Sequence, residues 1–341
     1  MIFEERFKER TPPDPRPDGA IPFLVDTGGA GDLINAVGFA RGYRSMGIDS
    51  WIVTRRNDYK DLLSVLLEEP KDDDEGGICT GGVAYYYEGV VKESGGPGFI
   101  NYLRTRLPHN PPWSPPDVGP RPEDKEWALK CFADSGGDGK KILLSPYAAW
   151  HARNWPLSYW SDLAWALKHE GHQVLSILPK KEVGPEGEEP QKVLTASLWG
   201  HPWSHSAALC SVADLVIGND SGTAHLAGAC RVPTIAVCGP TTGMFDQFPS
   251  VQEVSLSRRE LSCVGCWFDG TKGHRSACDR YCEALLRTPA GSVLSIAKRT
   301  LQAGIQPPGD WKPSCVLPHL KRRCASVPLT IRTKPHVETA V

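Results

Sequence analysis

The sequence predicts an α/β protein with two parallel-sheet domains. Three observations carry this. The chain has 341 residues, more than twice the roughly 150 that one domain averages. Short apolar runs alternate with helical periodicities along most of its length. Two of those runs lead straight into glycine-containing turns followed by a helix. Apolar residues make up 40% and charged residues 23%, which excludes a wholly disordered or collagen-like chain. Lys plus Arg is 38 against 40 for Asp plus Glu, a formal net charge of -2. That balance removes the simplest electrostatic case for a nucleic-acid or anionic-membrane partner.

Residues 1–19 form a charged, proline-rich N-terminal arm. The arm has no apolar h-region, so it does not read as a secretory signal. No run approaches the roughly 18 to 20 apolar residues of a membrane helix. A reducing cytoplasm is the expected location. There the 11 cysteines serve as thiols or metal ligands more often than as disulfides.

Residues 20–125 are expected to form the first domain. Ile21 to Val25 reads as a buried strand, followed at once by Thr27-Gly28-Gly29-Ala30-Gly31-Asp32. Leu33, Ala36, Val37 and Ala40 then mark one apolar helix face. Ser50 to Thr54 reads as the next strand, and Asp72 to Glu75 as a solvated loop. Residues 110–124, NPPWSPPDVGPRPED, are too rich in proline for helix or central strand and read as a crossover linker.

Residues 126–305 form the second expected domain. Strands are predicted at Ile142 to Leu144, Gln173 to Leu178, Ala213 to Gly218 and Pro233 to Cys238. Helices are predicted at Leu157 to Leu167 and Gly222 to Cys230, with a charged loop from Pro179 to Gln191. Residues 306–341 are a proline-rich, basic tail with little periodicity.

Four segments carry chemistry. In the first, a glycine turn that includes Gly31 brings backbone N–H groups to a ligand at a helix start. Asp32 either accepts a proton from a bound hydroxyl or caps the helix. In the second, Gly218-Asn219-Asp220-Ser221-Gly222-Thr223-Ala224-His225 ends a strand and opens a helix, a geometry that holds phosphate oxygens. Asp220 suits a sugar hydroxyl or the orientation of neighbouring amides. His225 is either a satisfied core histidine or a donor to the ligand, and its neighbours favour the donor. In the third, Ser145 ends a strand and Arg153 follows in an irregular loop, a cation where open α/β sheets bind ligands. A solvated surface arginine is the alternative. In the fourth, Cys263-x2-Cys266-x11-Cys278-x3-Cys282 fits a tetrahedral thiolate site for zinc or iron. Two disulfides or neighbouring buried thiols are the alternatives.

Together these segments resemble the heptosyltransferase-type glycosyltransferases, glycosyltransferase family 9. DLVIGNDSGTAHLAGACRVPTIAVCGPTTG (Asp214 to Gly243) is the most specific match; LLSPYAAWHARNWPLSYWSDLAWAL and TGGAGDLINAVGFARGYRSMG follow the family's order. The resemblance implies a GT-B fold, two Rossmann-like domains facing a central cleft. Asp32 matches the catalytic carboxylate, and Asp220, Ser221, Gly222 and His225 match the donor-binding motif. Arg153 stands where the family usually has Lys, Thr223 where proline is frequent, and Tyr147 where it has glycine.

The paired cysteines resemble those of the autotransporter heptosyltransferases, which bind iron, modify serine hydroxyls with ADP-heptose and form large oligomers. The expectation is therefore inverting transfer of a sugar, heptose from ADP-heptose, to a glycan or protein hydroxyl. The cysteine-bound metal would be structural. Catalysis would need no divalent cation, since the DxD at Asp72 to Asp74 lies in an acidic loop. Nucleic acid is not an expected partner; a homo-oligomer is. A non-catalytic nucleotide-sugar or metal-binding GT-B module is the alternative, with a GT-B epimerase ranked behind it.

Overall fold

The computed structural model describes residues 19–25, 29–54, 56–68, 78–79, 100, 104, 107, 109–178, 194, 196–255, 261 and 282–303. Residues 1–18 of the N-terminal arm, Gly28, the 72–75 and 179–191 loops, Cys263, Cys266, Cys278 and the 306–341 tail lie outside them.

The first lobe is built on β1 (Phe23–Leu24), β2 (Ile52–Val53) and β3 (Ile78–Cys79), parallel in the order β2-β1-β3. Helix α1 (Ala30–Ser45) follows β1, and α2 (Asn57–Val65) follows β2. Leu33, Ala36, Val37 and Ala40 are all buried on α1, as their spacing predicts.

The proline-rich stretch crosses α1. Ser114 N–H donates to the Gly38 carbonyl at 3.0 Å and Gly119 N–H to that of Val65 at 2.9 Å. Its end differs from the sequence expectation, because helix α3 (Pro122–Asp134) begins inside it. Pro122 occupies the first turn, where a missing N–H costs nothing, and Glu123 and Asp124 favour the positive helix end.

The second lobe holds six parallel strands: β4 (Lys141–Ser145), β5 (Gln173–Leu178), β6 (Ser197–Trp199), β7 (Leu215–Asn219), β8 (Thr234–Val237) and β9 (Val251–Val254). Their order is β6-β5-β4-β7-β8-β9, the doubly wound 3-2-1-4-5-6 arrangement. Alternate residues feed opposite faces. Ile142 and Leu144 join Trp160, Leu163 and Leu167 of α4 (Leu157–His169) on one side. Leu143 joins Ala128 and Phe132 of α3 and Leu209 of α5 (Trp203–Val212) on the other. Helix α6 (Gly222–Ala229) follows β7, and α7 (Glu283–Leu286) and α8 (Ala290–Ala303) complete the described chain.

The lobes share a core. Val37, Phe39 and Tyr43 of the first belong to one apolar cluster with Ala224, Leu226, Phe245 and Phe248 of the second. Gln247 Nε2 donates to Asn35 Oδ1 at 2.9 Å across that cluster. No described helix is long and apolar enough to cross a membrane.

Candidate active site

Doubly wound sheets bind ligands outside the carboxyl ends of the strands at which the winding reverses. Here those strands are β4 and β7, with Ser145 in register with Gly218. Asn219 closes β7 and is fully buried. Its Oδ1 accepts the Trp155 N–H at 3.1 Å and its Nδ2 donates to Asn154 Oδ1 at 3.2 Å. Asn154 Oδ1 also accepts the Ala148 N–H at 2.6 Å. These bonds fold the 146–156 loop over the end of the sheet.

Arg153 is thereby delivered to Asp220. Its Nη1 lies 3.6 Å from Asp220 Oδ2 and 3.4 Å from the Asp220 carbonyl oxygen, and its guanidinium stands 5.6 Å from the Trp150 ring. The side chain is 28% exposed, so it is a packed arginine and not a solvated one. Asp220, 1% exposed, also accepts the Thr241 hydroxyl from the turn after β8.

Ser221 is the extended N-cap of α6, and the first amides of the helix have no partner within it. Ser221 Oγ is buried with no hydrogen-bond partner among the described residues, and so is Nδ1 of His225. His225 is 4% exposed and packs 4.4 Å from the Phe245 ring. Burial pushes its pKa down to about 4, against a partial pull upward from Asp220; Arg153 adds to the depression. The imidazole is neutral at pH 7 and keeps one N–H and one lone pair.

From the first lobe, α1 brings Asp32 to the same place. Its Oδ2 accepts the N–H of the N-cap residue Gly29 at 2.7 Å, the reciprocal half of a capping box whose other half a glycine cannot supply. The cap is thus real, and it leaves the other carboxylate oxygen for further contacts. Burial raises the Asp32 pKa most; the Gly29 amide and Arg153 lower it, and Asp220 raises it again. A Cβ on Gly31 would stand 2.6 Å from His225 Cδ2, and one on Gly222 would stand 2.7 Å from Ala30 Cβ. The starts of α1 and α6 are therefore in direct contact, and only glycine permits it. Thr223 is partly exposed in the first turn of α6.

Four supporting residues escaped sequence reading. Asn154 and Asn219 pin the loop, Thr241 holds Asp220, and Glu253 on β9 accepts the Gly243, Met244 and Phe245 amides at 2.7, 2.7 and 3.1 Å. Asn219 and Thr241 stand inside the Asp214 to Gly243 motif, so that segment carried a signal for them. Asn154 and Glu253 carry none that is local. Of the four clustered cysteines only Cys282 is described: it is buried and its carbonyl caps the Leu285 and Leu286 amides.

Two lobes, the second a doubly wound parallel sheet, meeting where its winding reverses, make the fold a GT-B one. Residues 112–266 match the family model of glycosyltransferase family 9 (heptosyltransferase), in line with the resemblance read from the motifs. The chain is similar in fold to three solved structures. ADP-heptose lps heptosyltransferase II of E. coli shares 16% identity at a TM-score of 0.55, over 83% of this chain and 99% of that one. The iron-containing dodecameric glycosyltransferase TibC of enterotoxigenic E. coli H10407 shares 18% at 0.60, over 83% and 76%. A glycosyl transferase family 9 protein of Veillonella parvula DSM 2008 shares 15% at 0.50, over 86% and 100%. No curated protein matches the chain in sequence.

Proposed function

We propose that this protein is a glycosyltransferase that moves heptose from ADP-heptose, with inversion, to a hydroxyl of a lipopolysaccharide-type glycan or a protein serine. One observation carries the reading: the start of α1, which bears Asp32, meets the start of α6 at the winding reversal, where buried polar atoms of Ser221 and His225 have no hydrogen-bond partner among the described residues. The donor is chosen on likeness to TibC, which has a structure in complex with ADP-D-beta-D-heptose at 16% identity and a TM-score of 0.60.

In this reading Asp32 takes the proton of the acceptor hydroxyl as its oxygen bonds to the anomeric carbon. The bond from that carbon to the diphosphate breaks, and ADP leaves. Charge growing on the diphosphate is met by the α6 amides of Gly222 and Thr223, the Ser221 hydroxyl, the His225 ring and Arg153. Gly31 lets the two helix starts close on the donor, and Ser145 lines the strand edge. These groups replace a divalent cation in catalysis. Changing Asp32→Ala is expected to cut turnover by at least about 100-fold while calorimetry still finds ADP binding. Near-wild-type turnover would remove Asp32 from the chemistry.

Cys263, Cys266, Cys278 and Cys282 are proposed to hold a structural iron or zinc ion, in a cytoplasmic protein that assembles with copies of itself. Replacing Cys263 and Cys278 by Ser should then release one metal ion per chain and lower the melting temperature. Unchanged metal content by elemental analysis would exclude the ligand set.

A further inference from the structure

Away from this site, three helices meet around two histidines. His201 precedes α5 and His205 lies in its first turn, with their Nδ1 atoms 3.1 Å apart. Trp127 of α3 stacks on the His205 ring at 3.9 Å and 22°, and stands 5.0 Å from His201. Asp124, also of α3, places Oδ1 3.5 Å from His205 Nε2. Asp124 is 3% exposed and is gripped by Arg121 through Nε at 2.9 Å and Nη2 at 3.0 Å. From α2 in the other lobe, Asp61 Oδ2 accepts the Ser204 N–H at 3.2 Å.

Two Nδ1 atoms at that distance cannot both present lone pairs, nor both present N–H groups. They must share a proton or a cation. The Asp124 carboxylate, 3.5 Å from His205 Nε2, favours the tautomer with its proton on Nε2 and the Nδ1 lone pair toward His201, the orientation that carboxylates impose on metal-binding histidines. A metal ion about 2.0–2.1 Å from each nitrogen would set them about 2.9 Å apart at a right angle and about 3.3 Å apart at a tetrahedral one. The observed spacing lies between these values.

We propose that His201 and His205 bind a divalent transition-metal ion through their Nδ1 atoms, with Asp124 as the outer-shell carboxylate. Among the described residues no group of three or more His, Cys, Asp and Glu side chains forms a metal cage, so water completes the coordination. Both rings are partly exposed, which gives the ion a way in. Imidazole nitrogens select zinc, cobalt, nickel or copper over magnesium and calcium. Binding shifts the shared proton of His201 from Nδ1 to its own Nε2, which faces away from the ion, and links α5 through Asp124 to α3. The site is independent of the proposed sugar transfer.

Titration of the purified full-length protein with Co2+ tests it. One saturable equivalent should appear in the visible d–d bands without the near-ultraviolet sulfur-to-cobalt charge-transfer band, and the melting temperature should rise. His201→Ala should weaken Co2+ binding at least tenfold, and so should His205→Gln, which keeps a planar group beneath Trp127. Circular dichroism confirms that each variant is folded. Absence of saturable bands in the wild type, wild-type affinity in both variants, or bands lost only on Cys263→Ser would overturn the site. So would a histidine titration, followed by NMR, that Co2+ does not move.

Discussion

Asp32 is a helix cap and a candidate base through the same carboxylate. Its raised pKa means that the ionised form costs stability in the folded protein at neutral pH. Asp32→Asn removes that charge and still offers an oxygen to the Gly29 amide. The melting temperature should therefore hold or rise while turnover collapses, a split that differential scanning fluorimetry beside an assay would read.

His225 works in the opposite direction. Its folded pKa, about 4, lies below the 6.5 or so of an unfolded histidine, so between those values the unfolded chain binds the extra proton. Stability is full above pH 6.5 and is lost as the pH falls toward 4, by an amount on the order of 3 kcal/mol. Denaturant melts across that range should show the slope in the wild type and lose most of it in His225→Asn. At this scale the motif residues were legible because strand, glycine and helix start are adjacent in sequence. The desolvation that sets their protonation was not, since Phe245 and the Gly31 backbone arrive from elsewhere in the chain.

Among the elements, α1 shows what a periodicity can and cannot reveal. Its apolar face was readable, yet Gly38 and Gly42 on the helix serve a second contact. A Cβ on Gly42 would fall 1.7 Å from the Pro112 carbonyl oxygen, and one on Gly38 would fall 2.1 Å from Trp113 Nε1. Gly42→Ala, which should gain about 1 kcal/mol of helix propensity, is expected to lose about 1–3 kcal/mol overall. Urea midpoints for the variant and wild type would check the sign. The strands at 142–144 and 173–178 were plain because a strand buried on both faces is a continuous apolar run. Helix α5 was missed for a related reason. It packs against α2, α3 and α6 at once, so no single apolar stripe marks it.

Across the whole molecule, two lobes and their order could be read from the motifs, but their degree of closure could not. Contact between residue 31 and residue 225 has no local pattern; it is produced by the shared cluster of Phe39, Leu226 and Phe248 and by the Asn35–Gln247 bond. A core that spans both lobes couples their unfolding. Scanning calorimetry should show one transition with calorimetric and van't Hoff enthalpies that agree; two resolved transitions would mean that each lobe melts alone.

The bare glycines where the helix starts touch make the machine a latch with almost no play. Any side chain planted at residue 31 or 222 would act as a doorstop between the two helix starts. On the proposed function, such a variant would stand ajar and lose activated sugar to water.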